Sequence, residues 1–450
     1  MPEVIVVGGG AAGCVVATRL AQAGKAVLLL EAGPDRRSDL PDSLRDGWII
    51  DRESLDWGFM SEPDGVHDAR HVWRKKLLGG TGWLTRFTPR GHPGDYAAWG
   101  DGWSWDEVLP YFRRLESDAD FGHEPWHGDS GPLPSRRYLD RDFSPETQRA
   151  IEALTAHGHA WVDDHNRPGA VGVGRMPMNT ADGHRVTTAD AYLGLAPDGL
   201  EVRAGAPVDR VLMEQTRATG VRLADGTELS AGAVILCAGV YGSPTVLLRS
   251  GVDLAGVGQN LGDHPGVFLD LGYQGVASNP VLHSITTFRS PEAPPDGPPD
   301  LMYWIGDPDG DPAEHGVEVL LMRPRSRGSV RLRSADPNDP PVIRLPNLED
   351  GFDLRRLMEA YRHALEVFGL APEDDDAKLE AKIRAEEYSI PHVVGTCALG
   401  SVVELDGRVK GTEGLWVVDA SIIPEPPSGF IHFPTVMLAE RLSETIASLL

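Results

Sequence analysis

Val4-Ile5-Val6-Val7-Gly8-Gly9-Gly10-Ala11-Ala12-Gly13 carries the chain from a strand into a helix with only glycines between. Four β-branched residues in a row suit a strand buried on both faces. Gly8 permits a tight turn, Gly10 lets a diphosphate approach the backbone, and Gly13 lets the next helix pack closely on the strand. A helix is expected from about Ala11 to Ala23, then a second apolar run from Ala26 to Leu30. The first turn, Ala11, Ala12 and Gly13, offers unpaired N–H groups and a positive dipole end to that diphosphate. Glu31, followed by Ala32, closes the second strand, where a carboxylate can accept ribose hydroxyls. Strand, glycines, helix, strand and acid in register predict a dinucleotide site in an α/β, Rossmann-like sheet. The fingerprint serves FAD and NAD alike.

Beyond this unit, residues 33–71 read as largely irregular, and Pro110 to about Pro145 as loop. Pro145 to His157 reads as a helix. Leu200 to Leu223 alternates apolar and polar residues, predicting two antiparallel strands with a turn near Glu214. Ala233 to Gly239 is another buried strand ending in glycine. Residues 285–315 hold much of the Pro and Asp and are expected to form long loops. Leu354, Leu357, Tyr361, Leu365 and Phe368 have helical spacing, and Thr435 to Leu450 reads as an amphipathic helix opening after Pro434. No internal repeat is visible.

At 450 residues the chain is long enough for two or three structural units around a large core. A net charge of -25 argues against a nucleic-acid partner, which needs clustered Lys and Arg. Cys14, Cys237 and Cys397 lie far apart, show no metal-ligand spacing and fit a reducing compartment. No secretory signal and no apolar stretch near the ~20 residues of a membrane span is seen, so a cytoplasmic protein without an integral membrane segment is expected. Glu373-Asp374-Asp375-Asp376 reads as a solvated turn rather than a metal site, and no metal is expected. The aromatic stretch Trp99 to Trp105 reads as packing.

Three further segments resemble the glucose-methanol-choline oxidoreductase family. Lys76-Leu77-Leu78-Gly79-Gly80-Thr81-Gly82 is similar to its first signature, a glycine loop crossing the flavin diphosphate, and is followed by Arg90-Gly91-His92-Pro93-Gly94-Asp95-Tyr96. Gly239 to Val252, with Gly242-Ser243-Pro244, resembles the second signature and leads into Val257-Gly258-Gln259-Asn260-Leu261-Gly262-Asp263-His264-Pro265. The third runs from His392-Val393-Val394-Gly395-Thr396 through Val418-Asp419-Ala420-Ser421 to Pro427-Ser428-Gly429. The chain departs from the family at Trp83, where a small residue is usual, and at Thr85, where Asn or His is usual. Its short length and the wording Pro89 to Tyr96 resemble a subgroup that serves the peptide-derived cofactor mycofactocin.

The resemblance implies FAD, and an alcohol substrate whose hydride passes to flavin N5. Some relatives attach FAD through a histidine of the first loop; none lies between Gly79 and Gly91, so FAD is expected to be noncovalent. Alcohol oxidation needs a base for the hydroxyl proton, and histidine titrates near working pH. Relatives place one histidine before a Gly-Thr pair and His or Asn just before the last helix; here these positions hold His392 and His432. His392 is the implied base, with His432 hydrogen-bonding the substrate oxygen. His264 and His92 read as structural.

Cofactor contacts are implied for Gly8, Gly10, Ala11, Ala12, Gly13, Glu31, Ala32, Gly79, Gly80 and Thr81. They are implied also for Val208, Ala238, Gly239, Asp419, Ala420, Pro434 and Thr435. An FAD-binding domain is expected from 1–39, 73–117, 198–264 and 390–450. A substrate-binding domain with an antiparallel sheet and helices is expected from 40–72, 118–197 and 265–389. The electron acceptor is expected to be oxygen or a quinone, respiratory or protein acceptor. Two other classes stay open: a hydroxynitrile lyase with structural FAD, and a noncatalytic flavoprotein that binds a partner.

Overall fold

Val4–Val7 lies at the centre of a five-stranded parallel sheet, in a computed structural model that describes residues 1–48, 50–139, 143–252, 254–272, 283–306 and 316–450. The strand order is Leu415–Val417, Ala233–Leu236, Val4–Val7, Val27–Leu30 and Leu200–Arg203. Every residue of the three central strands is buried. Each such aliphatic side chain contributes about 1.5–3 kcal/mol on leaving water, which is why these runs are apolar without alternation.

The helix Ala11–Gln22 packs against the sheet and against the C-terminal helix His432–Leu449. Arg19 donates to both carboxylate oxygens of Glu440, at 2.8 and 2.7 Å, and the Tyr192 hydroxyl donates to the same group at 2.7 Å. The C-terminal helix starts at His432 rather than Thr435 and takes Pro434 into its first turn. The first turn's N–H groups have no intrahelical acceptor, so proline loses nothing there.

A second sheet has seven strands: Tyr388–Val394, Gly262–Asp270, Gly316–Leu321, Leu301–Gly306, Ser284–Phe288, Gly172–Arg175 and Trp161–Val162. Its pairs are antiparallel except the last. Val267, Val317, Val319 and Tyr303 pack on one face with the helix Gly351–Val367. The opposite face presents Met302, Trp304, Leu320 and Ile390 to Phe87 and Phe430. Among the described residues no helix is long and apolar enough to cross a membrane.

Three local expectations change. Residues 285–315 are not simply loop: Ser284–Phe288 and Leu301–Gly306 are strands, while 307–315 lie outside the described residues. The Pro and Asp residues that suggested loop gather in 291–300 and 307–312, and the runs at 284–288 and 301–306 are β-branched and aromatic. The helix Trp105–Leu115 continues through Pro110, because a Ser104–Glu107 capping box starts it and Val108, Phe112 and Leu115 bury one face. Leu200–Arg203 joins the parallel sheet, and the hairpin with its turn near Glu214 is formed by Val208–Glu214 and Arg217–Leu223.

A buried ionic cluster joins the two-stranded parallel pair Glu116–Asp118 and Leu133–Ser135 to neighbouring segments. Arg90 pairs with Glu116, Arg137 with Asp118 and Asp164, and His127 bridges Glu116 at 2.8 Å and Asp164 at 3.0 Å. Three carboxylates thus face three cationic groups when His127 is protonated. The two guanidiniums occupy the carboxylates that a metal ion would otherwise claim. Burial opposes charge on His127, but its bonds to Asp164 and Glu116 outweigh that and raise its pKa. Burial likewise opposes charge on Asp118 and Asp164, and Arg137 and His127 outweigh it and depress both.

The cluster's stability therefore has two edges. His127 contributes fully below its unfolded value of ~6.5 and loses that contribution as pH rises through its folded value. Asp118 and Asp164 contribute above ~3.9 and lose it as pH falls through their folded values. Arg137→Met, which strands two buried carboxylates, is expected to cost about 3–5 kcal/mol, seen calorimetrically as a lowered melting temperature. His127→Gln is expected to flatten the alkaline edge of melting temperature against pH. A melting temperature unchanged by Arg137→Met would refute a stabilising role.

Candidate active site

The glycines at the end of the first strand are fixed by close approach. Gly8 has φ +99°, and a Cβ there would stand 2.5 Å from the Cys237 carbonyl oxygen. A Cβ on Gly13 would stand 1.8 Å from the Gly8 carbonyl oxygen. Gly10 differs, because no atom lies within 4 Å of where its Cβ would be. Gly10 is also the N-cap of the helix, and no side chain caps the first turn of Ala11, Ala12 and Gly13. Open space before an uncapped helix start is the environment an anionic diphosphate fills.

Glu31 sits beside this turn, buried, accepting from Gly9 N–H at 2.8 Å and from Gly33 N–H at 2.7 Å. Both bonds hold a carboxylate whose remaining lone pairs can take hydroxyl protons. Burial pushes its pKa up, against the backbone bonds that favour the charge. Ala206 N–H donates to the Glu31 carbonyl at 2.8 Å, which brings the start of the strand at Val208 alongside Glu31 and Ala32. The donor set fits the adenosine half of a dinucleotide.

The second glycine loop is stitched onto the first. Gly79 N–H donates to the Gly9 carbonyl at 2.7 Å, and a Cβ on Gly80 would stand 2.9 Å from the Gly10 Cα. Gly79 and Gly80 both have positive φ, at +97° and +52°, so the loop lies flat on the turn as only glycine allows. Thr81 follows in the short 3-10 helix Gly80–Trp83. Trp83 points into the protein, buried with Leu40, Leu44 and Leu77, and its indole N–H donates to the Leu78 carbonyl at 2.8 Å. The atypical tryptophan therefore supports the loop from behind.

On the other side, the strand Ala233–Leu236 ends at Ala238 and Gly239, where the helix Gly239–Arg249 begins. Asp419, buried, accepts from Gly239 N–H at 2.9 Å and from the Ser243 hydroxyl at 2.5 Å, and its other oxygen caps Ser421 N–H at 2.8 Å. It thereby locks Ala420 and the short 3-10 helix Ala420–Ile422 to the second signature.

His392 stands near the end of an edge strand of the large sheet, partly exposed, and its ring lies 4.5 Å from that of Phe430. Phe430 is two residues before His432, the first residue of the last helix. The segment between is clamped, since Phe430 N–H donates to the Pro89 carbonyl at 3.0 Å and Ser428 binds the Asp95 carboxylate. His432 is buried, and its Nε2 has no hydrogen-bond partner among the described residues. Burial pulls its pKa down to about 4. The Thr435 hydroxyl donates to the Ile431 carbonyl at 2.7 Å, tightening the turn that contains Pro434. His392 thus packs on Phe430, and His432 follows two residues later at the start of the last helix, with its ring 6.0 Å from that of Phe433.

Two neighbours of His392 escaped the sequence reading. Asp263 Oδ1 accepts the N–H of His264 and of His392, each at 2.8 Å, and Oδ2 accepts from the Ser389 hydroxyl. His264, expected to be a structural residue near the flavin, touches His392, with Nδ1 to Nδ1 at 3.2 Å. Burial, with the Arg74 charge beside it, holds His392 well below the ordinary imidazole value. The Asp263-His264-Pro265 wording was visible, but the pairing of its strand with Tyr388–Val394 is a long-range register. His92 is the N-cap of the helix Pro93–Ala97.

GMC oxidoreductase family models match residues 2–266 and 324–439. An uncharacterized GMC-type oxidoreductase of Rhodococcus erythropolis is 34% identical over 98% of this chain and 97% of that protein. An oxygen-dependent choline dehydrogenase of Photobacterium profundum is 30% identical over 99% of this chain and 92% of that protein. Among solved structures, pyridoxine 4-oxidase from Mesorbium loti superposes with a TM-score of 0.89 at 28% identity, covering 99% of each chain. Glycine cradle, acid, second glycine loop and paired histidines occur in one chain that both family models span, and the chain belongs to the GMC oxidoreductase family.

Proposed function

We propose that this enzyme oxidises an alcohol to a carbonyl with noncovalent FAD, His392 acting as base and His432 binding the substrate oxygen. The observation that carries the reading is a neutral His392 packed with its ring 4.5 Å from that of Phe430, two residues before His432, whose buried Nε2 is left uncommitted among the described residues. Bound FAD would supply the hydride acceptor, N5. His392 would take the hydroxyl proton, and His432 would share its N–H with the oxygen as alkoxide character develops. The residues 1–39, 73–117, 198–264 and 390–450 would form the FAD-binding domain, and 40–72, 118–197 and 265–389 the substrate-binding domain.

Gly8, Gly10, Ala11, Ala12, Gly13, Gly79, Gly80 and Thr81 would cradle the diphosphate, Glu31, Ala32 and Val208 the adenosine. Ala238, Gly239, Asp419, Ala420, Pro434 and Thr435 would meet the flavin end. The acceptor for the reduced flavin would be oxygen or a quinone, respiratory or protein acceptor.

Choline and pyridoxine, named for two of the similar proteins, are both alcohols, which supports the substrate class. The wall beside His392 is apolar: Phe430 lies 5.8 Å from Trp304 and 6.1 Å from Phe87, ring to ring, with Met302 and Met322 in the same cluster. Such a wall favours an aryl or otherwise apolar alcohol over a sugar. The test is an anaerobic absorbance titration of the flavin-loaded enzyme with both classes. Bleaching by aryl alcohols ahead of sugars is expected. An oxidised flavin that no alcohol bleaches, with cyanide release from a cyanohydrin, would replace the proposal with a lyase.

A further inference from the structure

His264 is fully buried between the Pro427 carbonyl and the ring of His392. Its Nε2 lies 3.0 Å from the Pro427 carbonyl oxygen, which has only lone pairs to offer, so that nitrogen carries the hydrogen. Burial holds the ring's pKa down at about 4, so the ring is neutral and its Nδ1 is a bare lone pair. That lone pair faces Nδ1 of His392 at 3.2 Å. Two facing lone pairs would repel; a hydrogen on His392 Nδ1 makes the contact a bond. The one neutral arrangement that satisfies the chain Pro427, His264, His392 puts the free lone pair of His392 on Nε2.

The backbone supports the same arrangement. One carboxylate oxygen of Asp263 accepts the backbone N–H of both histidines at 2.8 Å, which ties the two main-chain segments together. The rings meet edge to face, with centroids 5.3 Å apart. Arg74, whose guanidinium donates to the Pro391 carbonyl at 3.2 Å, is a fixed cation beside His392, and Arg323 acts on His264.

We propose that His264 is a positioning residue that fixes the tautomer of His392, keeping the proton on Nδ1 and presenting Nε2 as the base. The proposal rests on the reading of His392 as base. In the step it serves, the substrate O–H bond breaks and an N–H bond forms at Nε2, while the hydride leaves carbon for the flavin. The Nδ1–H bond to His264 persists through the step, so the imidazolium forms without reorientation. A buried carboxylate does this for histidine in serine hydrolases, adding charge; His264 does it as a neutral partner, by orientation.

The test reads the tautomer directly. FAD-loaded enzyme carrying 15N-labelled histidine is compared with its His392→Ala variant to assign His392, at a pH above the ordinary imidazole value of ~6.5. A protonated Nδ1 and bare Nε2 are expected at His392; a protonated Nε2 there overturns the proposal. His264→Leu is expected to mix the two tautomers and slow anaerobic flavin reduction about 10- to 100-fold, as loss of an imidazole's orienting partner does elsewhere. His264→Asn, whose side-chain oxygen can accept from Nδ1–H, is expected to recover most of the rate. Equal damage from Asn and Leu would reduce His264 to a packing role and overturn the proposal. Because the tautomer is read in the unsubstituted enzyme, a Leu variant that does not fold leaves the test intact. The expected tautomer in an enzyme whose His392→Ala form reduces flavin at full rate would support His264 as positioning residue and overturn only the base assignment.

Discussion

Replacing His392 with alanine is expected to slow anaerobic flavin reduction by about 10²–10⁴-fold, the span of a positioned general base, with the bound flavin unchanged in amount. The direction of the pH profile follows from the surroundings. The base works only when its ring is neutral, and burial, with the Arg74 charge, disfavours the imidazolium. The acid limb of the rate should therefore lie below the ordinary imidazole value of ~6.5, with a plateau across neutral pH. Removing the Arg74 charge, as Arg74→Met, should favour the imidazolium and move the acid limb to higher pH. Stopped-flow reduction across pH checks both. A His392→Ala enzyme that bleaches as fast as its parent would end the assignment, and an acid limb unmoved by Arg74→Met would mean that Arg74's charge does not reach the ring.

What the sequence made legible was whatever depends on near neighbours. Val4 to Gly13 spells a strand, a turn and a helix because each residue's constraint is local: β-branching, positive φ, absence of a Cβ. Glu31 was legible for the same reason, one strand and one helix away. His392 and His432 were found only through the family's wording, since nothing local marks a histidine as paired. The contact between His264 and His392 was invisible. It depends on strands 128 residues apart meeting in one register. The start of the last helix at His432 was misjudged because Pro434 looks like a boundary when it is a first-turn residue. Strands within 285–306 were hidden by the proline-rich connection between them.

The site is also built around neutrality. Burial holds His432 and His264 near pKa 4 and pushes Asp263 up to about 7. Three buried titratable groups, all displaced toward their uncharged forms, would leave a low-dielectric floor under the proposed reaction centre. In such a floor each aligned dipole acts more strongly than it would in water. The Glu116, Asp118, Asp164, Arg90, Arg137 and His127 cluster instead holds buried charges that compensate one another.

The two glycines of the opening turn should fail in opposite ways. Gly13→Ala places a Cβ 1.8 Å from the Gly8 carbonyl oxygen, and backbone cannot step aside. Strand and helix must separate, at a cost of about 1–3 kcal/mol or more, so the protein should melt earlier with or without FAD. Gly10→Ala places its Cβ where no protein atom lies within 4 Å, at φ -79° and ψ -163°, which alanine accepts. The protein freed of flavin should lose only the N-cap preference, about 1 kcal/mol. The new methyl stands instead where the diphosphate must approach, and a clash of about 1–3 kcal/mol corresponds to about 10- to 100-fold weaker FAD binding. Melting temperatures of both variants, measured with and without FAD, separate the two. A Gly10→Ala protein that binds FAD as tightly as its parent would mean that the diphosphate does not pass over this turn, and the cradle would have to be sought elsewhere.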